Sequence, residues 1–113
     1  MIVIDDDEQA RHLAADALRE LGWRVFGASD LHAAVELAME YQPRAIITEL
    51  TLPAVHGYAF VRTLRSAVDN DVVLVGLTKL PSTQIDAARG AFDEVFEKPA
   101  DITHIHERIL LPR

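Results

Sequence analysis

Residues 45–57 read AIITELTLPAVHG, an apolar run with the character of a buried strand that stops at Glu49 and then enters a proline-to-glycine loop. The runs on either side explain why an acid should stand there. MIVI (1–4) is a second apolar run and ends at Asp5, while WRVFGA (23–28), VVLVGLT (72–78) and EVFE (94–97) read as further strands. Helical periodicity lies between them. From Glu8 to Leu21 the residues Ala10, Leu13, Ala14, Ala17, Leu18 and Leu21 recur at spacings of three and four, closing at Gly22. Asp30 is placed to cap a helix through Tyr41 with Leu31, Ala34, Val35 and Ala38 inward, and Pro43 breaks it. Tyr58 to Val68 turns Phe60, Val61 and Leu64 inward, Ser82 to Gly90 is a short helix, and Ile102 to Leu111 is the last. Strands this continuously apolar are covered on both faces. The pattern predicts one α/β domain over residues 1–113, a parallel sheet with helices on each side.

Composition narrows the function. The 113 residues carry 11 basic and 18 acidic side chains, a net charge of −7, which argues against nucleic acid or an anionic membrane as partner because phosphate binding needs Lys and Arg clusters. With no cysteine there is no disulfide framework and no thiolate chemistry. The longest apolar run, VVLVGL, is far short of the roughly 20 residues that span a bilayer, and MIVIDDDE lacks the layout of a signal peptide. A cytoplasmic setting is expected. The chain closes at LLPR with no output region after the last helix, so it works alone or belongs to a larger protein.

Polar residues fall at one rim. Ligands of open α/β sheets bind beyond the carboxyl ends of the strands, and there the chain places Asp5, Asp6 and Asp7, then Glu49, then Thr78, then Lys98. Gathered carboxylates repel unless a cation sits among them, and hard oxygens at a wet rim suit Mg²⁺. A lysine and a threonine hydroxyl opposite would hold an anionic group, as phosphoryl chemistry requires. Plainer readings stand beside these: an acidic run caps a helix, Lys98 and Glu49 form a structural ion pair, and Thr78 terminates a strand. His104 and His106, two apart, face different sides of a helix and are expected in solvent, while His12, His32 and His56 offer no ligand spacing. Trp23, Phe26 and Phe92 read as core or core-edge residues.

IVIDDDE with Arg11 following, PRAIITELTLPAVHG, LVGLT and FDEVFEKP, in this order and spacing, resemble the receiver domain of bacterial two-component response regulators, the CheY-like family. The likeness covers nearly the whole chain. It implies a flavodoxin-like sheet of five parallel strands in order 2-1-3-4-5 and a signalling role rather than an enzymatic one. By resemblance Asp5 and Asp6 are the metal-binding acids, joined by Glu49 and the backbone carbonyl of Thr51. Thr78 is the switch hydroxyl and Lys98 the lysine that contacts the phosphoryl group.

The family carries an aspartate phosphoacceptor at the position of Glu49. The added methylene moves the carboxylate outward by about 1.5 Å, and in-line attack loses on the order of a hundredfold per ångström of misplacement. The shift also pushes the carboxylate toward the space of a phosphoryl group, so that Glu49 imitates a phosphorylated aspartate. Val95 stands where the family has the switching aromatic, Lys79 follows Thr78 in place of a small residue, His56 and Ala91 depart from the usual aspartate and glycine, and the stretch from Thr78 to Ala91 is short for the family. The expectation is a degenerate receiver, a phosphorylation-independent interaction or dimerisation module holding Mg²⁺ weakly or not at all. The alternative is a working Mg²⁺-dependent phosphoacceptor served by a histidine kinase. Partners or a second copy are expected on the face made by Ser82 to Gly90, Glu94 to Glu97 and Asp101 to Leu111. There Asp86, Arg89, Glu97 and Arg108 supply both signs of charge, and Ile102, Ile105 and Ile109 either add apolar area or form the inner face of the last helix.

Overall fold

Strands β1 (Ile2–Ile4), β2 (Phe26–Ala28), β3 (Ala45–Leu50), β4 (Val73–Thr78) and β5 (Glu94–Glu97) pair in parallel in the order β2-β1-β3-β4-β5. Helices α1 (Glu8–Glu20), α2 (Leu31–Tyr41), α3 (Ala54–Ala67) and α4 (Ile102–Leu110) cover both faces. The computed structural model describes residues 1–50, 54–78, 90, 92–98 and 101–110, with the backbone alone at 50, 54–58 and 60. Of the expected helix from Ser82 to Gly90, all but Gly90 lies outside the described residues.

Alternation along the strands divides the core in two, since successive side chains leave a strand on opposite faces. Ile2, Ile4, Ile46 and Leu74 pack with Ala34 and Ala38 of α2 and with Val61 and Leu64 of α3. Val3, Ala45, Ile47, Val73, Val75 and Leu77 pack on the other face with Ala15 and Leu18 of α1 and with Ile105 and Ile109 of α4. The chain runs from β1 outward to β2 and then crosses back to β3, so the strand order reverses between β1 and β3. That reversal opens a crevice at their carboxyl ends. Ile4 pairs with Thr48, which brings Asp5 and Glu49, the next residue of each strand, to the crevice together.

Local signals set the helix ends. The Asp7 carboxylate accepts the N–H groups of Gln9 (3.0 Å) and Ala10 (3.3 Å), and that of Asp30 accepts from Ala33 (2.8 Å), each satisfying donors left unpaired in a first helical turn. Gly22 follows α1 with φ of 99°, a conformation that glycine adopts without a Cβ penalty. Gln42, at φ 46°, ends α2 just before Pro43.

Three expectations shift. Of the expected inner residues of α1, Leu18 is buried and Ala10, Ala14 and Ala17 are partly buried, but Ala15 and Arg11 join them while Leu13 and Leu21 do not, because small alanines let the helix turn and lie close to the sheet. Leu13 is 65% exposed and Leu21 38%. Helix α3 begins at Ala54 rather than Tyr58 and runs through Gly57, whose cost of about 1 kcal/mol in a helix does not break it. Strand β2 keeps only the last half of WRVFGA, since Trp23 serves a contact with α4 instead. Among the described residues no helix is long and apolar enough to cross a membrane.

Candidate functional site

Every polar group of Asp5 is engaged. Its N–H donates to the Ala28 carbonyl (3.0 Å), which extends the β1–β2 pairing by one residue. Its carbonyl accepts from Arg11 Nη1 at 2.8 Å. Its Oδ1 accepts the Asp7 N–H at 2.9 Å, closing a tight acidic turn, and its carboxyl lies beside that of Glu49. Only 8% of Asp5 is exposed. Burial first and the neighbouring Glu49 carboxyl second push Asp5 above the usual carboxylate range, against the Asp7 N–H and the Lys98 ammonium.

Glu49 is shared between two partners. Its Oε2 accepts from the ammonium of Lys98, which reaches it across β4 from just beyond β5. The backbone of Lys98 is fixed by its N–H, which donates to the Thr78 carbonyl at 2.7 Å. Glu49 thus joins Lys98 on one side and lies beside Asp5 on the other, at one rim.

Two further expected residues, Asp6 and Thr78, are described. Asp6 is exposed beside the cluster. Thr78 is fully buried and approaches Lys98 through its backbone; it sits an odd number of residues from Leu77 and Val75, so its side chain leaves β4 on the α2 and α3 face. Val95 packs on that same side, partly buried against the core. Thr51, Lys79, Asp86, Arg89 and Ala91, with the side chain of His56, lie outside the described residues. Glu97 is exposed, while Arg108 is bonded to Glu94 on β5 rather than standing free for a partner.

A Mg²⁺ shell needs several hard oxygens converging on one point. Among the described residues no three acidic or histidine side chains converge in that way. Asp5 and Glu49 lie side by side, with the Lys98 ammonium bonded to Glu49. They make a compact arrangement of two carboxyls and one ammonium, and Thr51, whose carbonyl is expected to join a metal shell, lies outside the described residues.

Sequence reasoning missed three contacts. Arg11 has no expected role, yet it holds the Asp5 carbonyl; its signal is a cation in the opening turns of a helix, where the dipole disfavours one. His106, expected in solvent, accepts from the Trp23 indole N–H at 2.7 Å and ties the α1–β2 connection to α4. Arg65 of α3 bonds the Val72 carbonyl and the Asp93 carboxylate, both at 2.9 Å, and Asp93 also accepts the Leu74 N–H at 2.7 Å. The last two join residues 83 and 28 apart, and no local spacing announces such pairs.

Comparison with known proteins agrees with this geometry. Residues 1–110 match the family model described as response regulator receiver domain. The KDP operon transcriptional regulatory protein KdpE of Escherichia coli is 28% identical over 109 residues, covering 96% of this chain and 48% of that protein. Transcriptional regulatory protein PrrA of Mycobacterium tuberculosis is 29% identical over 111 residues, covering 96% and 47%. The chain therefore spans about half the length of the curated relatives it matches. Among solved structures, a Burkholderia pseudomallei response regulator holding a phosphorylated aspartic acid, calcium and citrate superposes with a TM-score of 0.80 at 26% identity, over 96% of this chain and 64% of that one. Chemotaxis response regulator CheY4 of Vibrio cholerae, at 21% identity, shares the fold with a TM-score of 0.82 over 96% of both chains. With its strand order, its acidic crevice and a family match over all but the last three residues, the chain belongs to the response regulator receiver domains of two-component signalling.

Proposed function

We propose that this receiver domain acts in cytoplasmic signal transduction without accepting a phosphoryl group, as a protein-interaction or dimerisation module and not as an enzyme in its own right. The observation that supports this is the engagement of Glu49 by Lys98, with Asp5 beside it. A nucleophilic carboxylate must be ionised, accessible and aligned for in-line attack, whereas Glu49 is 11% exposed in its side chain and bonded to Lys98. Its added length carries its charge toward Lys98, so the ion pair stands in for the contact that a phosphorylated aspartate would make. The domain is then fixed near one conformation, and its output is the binding of a protein partner or a second copy through β5, α4 and the segment preceding β5.

A second reading has its own support. Asp5, Asp6, Thr78 and Lys98 are kept in order, and the Burkholderia relative carries a phosphorylated aspartic acid with calcium. On that reading the domain is a Mg²⁺-dependent phosphoacceptor served by a histidine kinase. Intact mass after incubation with acetyl phosphate and Mg²⁺ separates the two. No added phosphoryl is expected; a gain of one that disappears in Glu49→Gln establishes the second reading.

A further inference from the structure

The hold of Arg11 on Asp5 depends on a residue of the sheet edge. The guanidinium of Arg11 reaches the Asp5 carbonyl by passing over β2 at Gly27. A Cβ at Gly27 would lie 3.2 Å from Cδ of Arg11 and 3.4 Å from its Cγ and Nε, tighter than side chains normally pack. Gly27 is the central residue of a three-residue strand, and Phe26 and Ala28 leave that strand on the opposite face. Glycine weakens a strand and often marks a close approach by another group. Positive φ is not the reason here, since the glycine that adopts it among the described residues is Gly22. The space above Gly27 is filled by Arg11.

We propose that Arg11 is the positioning residue of the acidic turn Asp5–Asp7 and that Gly27 is the seat that admits it, so that the edge strand β2 sets the geometry of the Asp5 carboxyl. The inference rests on reading the Asp5, Glu49 and Lys98 cluster as the working end of the domain. It asks nothing of phosphoryl transfer, and the acetyl phosphate result and the result below are independent. A group bound on β2 or an alteration of that edge reaches the carboxyl cluster through the Arg11 side chain as well as through the Asp5 to Ala28 backbone bond.

The test uses the whole chain, amide NMR and melting. Arg11→Met keeps the stem and removes the donor, and it is expected to move the amide resonances of Asp5 and Asp7 and to speed exchange of the Asp7 N–H about fivefold, the loss of one net hydrogen bond. Gly27→Val is expected to lower the melting temperature although valine is the better strand residue. In an Arg11→Ala background the same change is expected to raise it, because the seat is empty. Gly27→Ala, a milder intrusion, follows the same pair of signs if the valine variant does not fold. Unmoved Asp5 and Asp7 amides in Arg11→Met, or a glycine substitution of one sign in both backgrounds, overturns the proposal.

Discussion

Lys98, one residue past β5, bonds the carboxylate of Glu49 on β3 over the intervening strand β4. The two side chains are only 21% and 11% exposed. Removing one partner of so withdrawn a pair leaves the other charge without compensation, which is costlier than losing an exposed pair. Lys98→Ala is expected to destabilise the domain by about 3 kcal/mol at neutral pH, read from urea unfolding at unchanged m-value. A loss below about 1 kcal/mol would mean that water screens the pair as it does on a surface.

Shortening the acid tests the chemistry of that same contact. Glu49→Asp withdraws the carboxylate by about 1.5 Å, away from Lys98 and toward the depth at which the family holds its acceptor. The variant is expected to gain a fraction of one phosphoryl from acetyl phosphate with Mg²⁺, while the native chain and Glu49→Gln gain none. An unlabelled aspartate variant would shift the cause of inactivity to Val95 and the other departures from the family.

Magnesium should do little to the native chain. An ion that binds only the folded state stabilises it by RT ln(1 + [L]/Kd), and the Glu49 carboxylate is already engaged by Lys98. Melting curves with and without about 10 mM Mg²⁺ are expected to coincide within about a degree. A rise of many degrees that vanishes in Asp6→Ala contradicts this and favours the phosphoacceptor reading.

The parts of this structure that were legible in the sequence are those whose cause is local or periodic. Strand β3 falls at AIITEL as read, and α2 runs from the Asp30 cap to Tyr41 because a capping carboxylate and Pro43 bracket it. The convergence of Asp5, Glu49 and Lys98 was readable because parallel strands present their carboxyl ends at one rim. The phase of α1 was not, since Ala14, Ala15 and Ala17 satisfy two neighbouring stripes about equally and only close packing on the sheet chooses between them. Nor could a list of strand-end acids foretell that Asp5 is pushed above the usual carboxylate range, which follows from its burial beside Glu49.

That upward shift gives Asp5 a pH signature. Unfolded, it titrates at about 4; folded, burial and Glu49 hold its proton to higher pH. Between those values the folded state binds more protons than the unfolded one, so stability falls as pH rises through the window and then levels. Below about 4 there is no penalty. Asp5→Asn removes the ionisation, keeps an acceptor for the Asp7 N–H and adds a donor for Glu49. It is expected to stabilise the domain at pH 7 by about 1 kcal/mol and to change little in acid, measured by melting across pH. A lower melting temperature at pH 7 would mean that ionised Asp5 is stabilising, as it is when it holds a cation.

The interaction face narrows to charge. Ile105 and Ile109 are buried in the core and Ile102 and Val95 are partly buried against it, which leaves Leu110 as the exposed large apolar side chain that the described part of α4 and β5 offers a partner. What remains is Glu97, the Glu94–Arg108 pair, and Asp86 and Arg89 outside the described residues. A two-fold contact built on such a rim owes its register to opposite charges and weakens with salt. The engagement of Arg108 changes how the dimer must be tested, because Arg108→Glu alone sets an acid beside Glu94 and disturbs the fold as well as the surface. Exchanging the two, Glu94→Arg with Arg108→Glu, restores the internal pair while inverting the pattern shown to a second copy. Sedimentation across concentration is expected to show a native dimer that dissociates in salt, in the exchanged variant, and in Arg89→Glu with Arg108→Glu, with the exchanged variant melting close to the native chain. A native chain that stays monomeric at its highest soluble concentration removes the second copy as partner and leaves this charged face to a different protein.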